Sequence, residues 1–228
     1  GPPPTEAELG RLAGYFPLTG LVCGLISALI WLILGTLSLS ESLRAIITVV
    51  SLAVLTRGFH LDGLADAADA LLSHRSVEEK LGILKDCHLG TFGVAAIVLD
   101  LLLKINLLTE IMASAGGLAA LALFPLWGRL AASVVAVNGQ YARPEGGLGR
   151  RLVEGAGFGE FKLAVLSSLL ISLVGGWPGL LTALWATLVA YFLSWVWNKS
   201  LGGVTGDLLG ATVEIGEIAA LIFWVAIT

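Results

Sequence analysis

Residues 17–35 read PLTGLVCGLISALIWLILG, nineteen positions without a charge and without a polar face. A helix in a soluble core keeps one polar side, whereas a helix apolar all round for about twenty residues suits a bilayer. Residues 93–113, 116–137 and 180–197 repeat the pattern, a further apolar segment occupies 208–228, and shorter ones occupy 43–57 and 161–176. The predicted fold class is therefore all-α, a polytopic transmembrane bundle of about seven spans. Composition agrees, with 57% hydrophobic and 13% charged residues and a mean hydropathy of +0.91, far from soluble averages.

Upstream of the first span, Gly1-Pro2-Pro3-Pro4 cannot be helical. Thr5 followed by Glu8 is a capping-box pattern, so residues 1–16 are expected to form an N-terminal segment with an interfacial helix and 17–228 a single membrane domain. No cleavable signal peptide is expected. Cys23 and Cys87 lie in or beside apolar segments without metal-type spacing, which supports plain thiols. Ten basic residues, Arg11, Arg57, Arg75, Lys80, Lys85, Arg143, Arg150, Arg151, Lys162 and Lys199, fall on one side of the predicted spans. The positive-inside rule makes that side cytoplasmic, in an inner membrane. The other side keeps Arg44 and two short links, 114–117 and 175–179. Lys104, four residues after Asp100, and Arg129 lie within spans, and an internal ion pair is the expected role.

The chemistry-bearing stretch is Arg57-Gly58-Phe59-His60-Leu61-Asp62-Gly63-Leu64-Ala65-Asp66-Ala67-Ala68-Asp69-Ala70. Spacings of i, i+4 and i+7 put Asp62, Asp66 and Asp69 on one helical stripe, where they repel unless a cation joins them. A solvated face would interleave Lys, Glu or Gln; here the neighbours are Leu and Ala. Hard oxygen ligands without Cys favour magnesium or manganese. Residues 76–86 predict a short amphipathic surface helix, after which Asp86 precedes Cys87-His88-Leu89-Gly90-Thr91-Phe92-Gly93 and is a further candidate ligand. A distant second group, Asp207, Glu214 and Glu217, also shares one stripe, partly at membrane depth, where ionisable groups are costly. The loop from Asn138 to Lys162 offers Arg143, Arg150 and Arg151 among Gly146, Gly147 and Gly149, suited to phosphate oxygens. Gly155-Ala156-Gly157-Phe158-Gly159 has neither the preceding strand nor the lysine of a nucleotide loop.

At these residues the sequence resembles the cobalamin synthase family, the adenosylcobinamide-GDP ribazoletransferases. The resemblance rests on Gly58 to Asp66, on Leu84-Lys85-Asp86, on Leu89 to Gly93 and on Gly202-Gly203-Val204-Thr205-Gly206-Asp207 through Glu217, in order and spacing from about Tyr15 to the end. The family normally carries a further N-terminal stretch, and Ala70 stands where some members have Gly. The resemblance implies transfer of the cobinamide phosphoryl group from adenosylcobinamide-GDP to α-ribazole or its 5'-phosphate, with GMP released and Mg2+ required. On that reading Asp62, Asp66 and Asp86 are leading metal ligands with Asp69 second. Asp207, Glu214 and Glu217 hold another metal or orient the acceptor, His60 takes the hydroxyl proton, and Lys85, Arg143, Arg150 and Arg151 hold phosphate. The partners expected are those two substrates and the lipid bilayer, with no nucleic acid; a homo-oligomer is left open. The alternatives are a CDP-alcohol-type phosphotransferase and an ion- or proton-coupled transporter built on Asp100, Lys104, Arg129, Glu214 and Glu217. A transporter keeps its charges at the midplane, whereas the densest acidic stripe here is predicted at the mouth.

Overall fold

The structure, a computed structural model of the chain, describes residues 5–86, 88–114, 116–143, 145 and 148–228. Cys87, Gly146 and Gly147 lie outside the described residues, so their expected roles find no structural counterpart here. The described residues form ten α-helices, and their only β-pairing is an isolated bridge between Tyr141 and Val204. They are α1 (Glu6–Gly35), α2 (Glu41–Leu55), α3 (Phe59–Leu72), α4 (Val77–Ile83), α5 (Thr91–Met112), α6 (Gly117–Asn138), α7 (Leu148–Gly155), α8 (Phe158–Ser172), α9 (Gly176–Leu201) and α10 (Gly206–Ile227).

The capping box closes as expected: Glu8 N–H donates to the Thr5 hydroxyl, and Thr5 N–H donates to the Glu8 carboxylate at 2.8 Å. From there α1 runs unbroken through Pro17 to Gly35, so no break in the helix separates residues 6–16 from the first span. Five helical stretches are long and apolar enough to cross a membrane, six if α2 and α3 count as one bent span. One stretch, Phe158–Leu201, has 44 residues, about 66 Å of helix, or two hydrocarbon thicknesses. It contains α8 and α9, joined through a 3-10 turn at Leu173–Gly175 and a Gly176 with φ of +67°. Counting these as two crossings recovers the seven expected segments.

Helix α6 is the axis of the bundle, buried over most of its length and packed against α1, α8, α9 and α10. Trp127 of α6 stacks on Trp224 of α10 with ring centroids 5.7 Å apart. The outer faces of α1, α5, α8 and α9 expose Leu, Val, Phe and Trp, an arrangement stable only where lipid replaces water. The two short links and the end of α10 share one end of the bundle, since Gly116 and Gly175 both lie against the Trp224 ring. The basic loops share the other. There Ala142 N–H donates to Val204 at 3.0 Å and Val204 N–H to Gln140 at 2.7 Å, tying the loop after α6 to the start of α10.

Candidate functional site

At the end of α2 the chain turns through 89° into α3. Arg57 and Gly58 make the elbow with φ of +56° and +69°, a left-handed pair that stops α2 and redirects the chain. Helix α3 then crosses the basic-loop end of the bundle and packs on α5 and α10. It meets α10 closely at Gly63, where a Cβ would lie 2.5 Å from the backbone oxygen of Asp207. Only glycine lets the two backbones meet so closely. The meeting unites two acidic groups 145 positions apart (207 − 62).

Asp62 is exposed and Asp66 half-buried on that face. Burial first, then the charges of Asp62, Asp207 and Asp69, push the Asp66 carboxyl up to about 6, with Arg143 opposing them. Asp207 in turn accepts from Arg143 Nη2 at 2.6 Å, and the same Nη2 donates to the Leu84 carbonyl at 2.8 Å. Arg143 thus latches the turn after α4, its own loop and α10 together. Lys85 pairs with Glu145 at 2.9 Å and Arg150 with Glu154 at 2.9 Å; Arg151 is exposed on α7.

Asp69 is engaged in another way. Its oxygens accept from Gly90 N–H at 2.7 Å and Gly93 N–H at 2.9 Å, capping an α5 whose N-cap residue, Gly90, has no side chain to do so. Asp86 accepts from the His88 N–H at 3.1 Å and lies 2.6 Å from its ring nitrogen. No contact or electrostatic influence described for Asp66 joins Asp86 to the stripe.

Glu214 and Glu217 part company with Asp207. They point into the bundle, 5% and 1% exposed, where Glu217 contacts Lys104 at 2.8 Å and Arg129 at 2.8 Å, and Glu214 also pairs with Lys104. Asp100 completes the cluster 3.3 Å from Lys104, the i,i+4 pair expected. Three buried carboxylates on α5 and α10 therefore surround two buried cations. Such a cluster is held by mutual pairing, because one ion alone at that depth is strongly unfavourable.

His60 bridges this network and the surface. Its Nδ1 lies 3.5 Å from Arg129 Nη2 and 3.9 Å from Glu214. Above it opens a cleft of about 1120 Å³. Arg57, His60, Asp62 and Arg129 give it polar walls, while Phe16, Leu148, Leu152 and Leu209 are among its apolar ones. Sequence reasoning missed Arg57, Arg129 and these apolar residues as site components. The one available signal was the arginine inside an apolar span.

Among the described residues no three His, Cys, Asp or Glu side chains converge to hold a metal ion ready-made. The carboxylates nevertheless fit the way magnesium is commonly held, through one or two carboxylates with the remaining positions taken by water and substrate phosphate. Asp62 and Asp66 supply two such carboxylates, Asp66 raised first by burial and then by its acidic neighbours, and Arg143 pairs with Asp207 beside them.

The cobalamin-5-phosphate synthase family matches residues 2–225. The adenosylcobinamide-GDP ribazoletransferase of Roseiflexus sp. (strain RS-1) is 40% identical over 223 residues, covering 96% of this chain and 81% of that protein. Proteins of the same name from Caldanaerobacter subterraneus subsp. tengcongensis and Shewanella pealeana are 37% and 35% identical over 225 and 217 residues, covering 96% and 92% of this chain and 88% and 83% of theirs. No solved structure matches the chain.

Proposed function

We propose a magnesium-assisted phosphoryl transfer from the premise that this chain belongs to the cobalamin-5-phosphate synthase family. The reaction is that named for its relatives, adenosylcobinamide-GDP ribazoletransferase. The ribose hydroxyl of α-ribazole or its 5'-phosphate attacks the phosphorus next to cobinamide. The new O–P bond forms as the bond to the GMP phosphate breaks, GMP leaves with the bridging oxygen, and the hydroxyl proton is released.

The observation that carries this reading is the close approach of α3 and α10, which brings the Asp62–Asp66 stripe beside Asp207, with Asp62 lining a large cleft whose walls include Arg57 and Arg129. Phosphoryl transfer asks little covalent work of a protein; it needs positioning and charge stabilisation. Bound magnesium would neutralise the charge developing on the phosphate oxygens. Asp62 and Asp66 would hold it, Asp207 would steer the acceptor hydroxyl, and Arg143 keeps Asp207 in register. Arg57 and Arg129 face the anionic donor. His60 stands at the inner wall, held by Arg129, where it lies within reach of the hydroxyl proton. We read the site end of the bundle as the cytoplasmic face of an inner membrane, a reading supported by the basic loops gathered there. The transporter alternative loses its support, because the midplane charges are paired with one another.

Purified protein in lipid should join adenosylcobinamide-GDP to α-ribazole or its phosphate and release one GMP per product, only with magnesium present. GMP release that ran equally well without ribazole would mean hydrolysis and end the transferase reading.

A further inference from the structure

Helices α1 and α2 are clasped at one end and parted at the other. Near the links, Arg44 Nη2 donates to the Trp31 carbonyl at 2.9 Å and its guanidinium lies 4.2 Å over the Trp31 ring. Toward the site, Thr19 and Cys23 of α1 and Thr56, Arg57 and Gly58 of the α2–α3 elbow all line the cleft, so α1 and the elbow form two of its walls. Along α1 it reaches from Phe16 to Cys23, about 10 Å at 1.5 Å per residue.

That depth falls within the apolar layer. With 15 residues, α2 is about 22 Å long, short of the roughly 30 Å of a hydrocarbon core. Thr56 and Arg57 at its end line the same cleft as Thr19 and Cys23, so the elbow stands beside the first apolar span. Its lining includes exposed apolar side chains: Phe59 at the elbow is 65% and Leu148 on α7 74% exposed. Val22, beside Cys23, faces outward with the lipid-exposed residues of α1. Polar walls together with exposed apolar lining match an amphiphile with a bulky, weakly polar body and a phosphate-bearing end. The volume also exceeds the roughly 300–1,000 Å³ of ordinary small-ligand pockets.

We propose that the cleft opens sideways to the bilayer between α1 and the α2–α3 elbow, and that the donor enters there. Its cobinamide body lies against Phe16, Leu148, Leu152 and Leu209, and its diphosphate lies at Arg57 and Arg129. The identity of the occupant rests on the reading of the reaction above; the sideways opening does not.

The two parts are tested separately. In a Cys87→Ser background, bimane on Cys23 in nanodiscs should be quenched at least twofold more by phospholipid carrying an acyl-chain nitroxide than by aqueous iodide. Quenching by iodide alone would overturn the sideways opening, whatever the reaction. The unlabelled Cys87→Ser protein should show Cys23 alkylated by N-ethylmaleimide at least fivefold more slowly when donor is present. Unchanged alkylation at donor concentrations that support GMP release would overturn the placement of the donor. Cys23→Trp, which narrows the cleft, should raise the KM for donor about tenfold, whereas Val22→Trp, one position toward lipid, should change it less than twofold. Equal KM values for both would also overturn the placement, and equal yields of monodisperse protein would show that both variants fold.

Discussion

Replacing Gly63 by alanine puts a Cβ 2.5 Å from the Asp207 backbone oxygen, against the 3.0 Å below which such contacts essentially never occur. The obstruction is backbone on both sides, so α3 and α10 must separate by at least about 0.5 Å, the difference between those two distances. Overpacking of this kind typically costs about 1–3 kcal/mol. The functional loss should be larger, because displacement of catalytic groups by about 1 Å can cost about 100-fold in rate. Gly82 provides the control: it lies in α4 with nothing within 4 Å of an added Cβ. Gly82→Ala should be neutral or stabilise by up to about 1 kcal/mol. Thermal unfolding in detergent and magnesium-dependent GMP release, measured on both variants, make the comparison. Wild-type turnover and stability in Gly63→Ala would refute the close approach on which the site is built.

Asp62→Asn and Asp66→Asn should each remove nearly all turnover with folding intact, read by GMP release and size-exclusion profile. Asp69→Ala should act on stability, costing about 1–2 kcal/mol as loss of a helix cap, while Asp69→Asn, which keeps one acceptor oxygen, is milder in both respects. The Asp66 carboxyl, raised from its usual value of 3.8 to about 6, binds its proton more tightly in the folded protein than in the unfolded chain. Its contribution to metal-free stability is therefore fully present below about pH 4 and lost as pH rises through about 6; Asp66→Asn should flatten that part of the pH–stability curve, and magnesium should bind more tightly above pH 6 than below it. Lys104→Met leaves Asp100, Glu214 and Glu217 with Arg129 alone and should cost about 3–5 kcal/mol; adding Glu214→Gln should recover part of the lost thermal stability, and further loss in the double variant would contradict the pairing.

The apolar segments were legible because period and length are local properties of a chain, and so were the capping box at Thr5, the stripe on α3 and the Asp100–Lys104 pair. Glu214 and Glu217 show where local reading stops. Seven residues after Asp207, Glu214 returns to nearly the same helical stripe, but about 10 Å further along the axis. That depth carries it and Glu217 to Lys104 and Arg129, with sequence separations of 110 for Lys104–Glu214 and 88 for Arg129–Glu217. No spacing rule reaches so far. Asp69 had a signal that periodicity hides: α5 begins at a glycine N-cap, and a helix start without a capping side chain requires an acceptor from elsewhere. The cleft itself was invisible, because it arises from the elbow at Arg57 and Gly58 and from α7 folding back onto α1, both tertiary events.

Asp62 and Asp66 are proposed to hold a divalent ion against the donor's diphosphate. Manganese in place of magnesium makes this directly measurable by electron paramagnetic resonance and electron–nuclear double resonance with adenosylcobinamide-GDP present. Donor-dependent manganese binding with phosphorus-31 hyperfine coupling is expected, weakened at least tenfold in Asp62→Asn and in Asp66→Asn. Manganese bound with wild-type affinity and unchanged phosphorus coupling in both variants would contradict it.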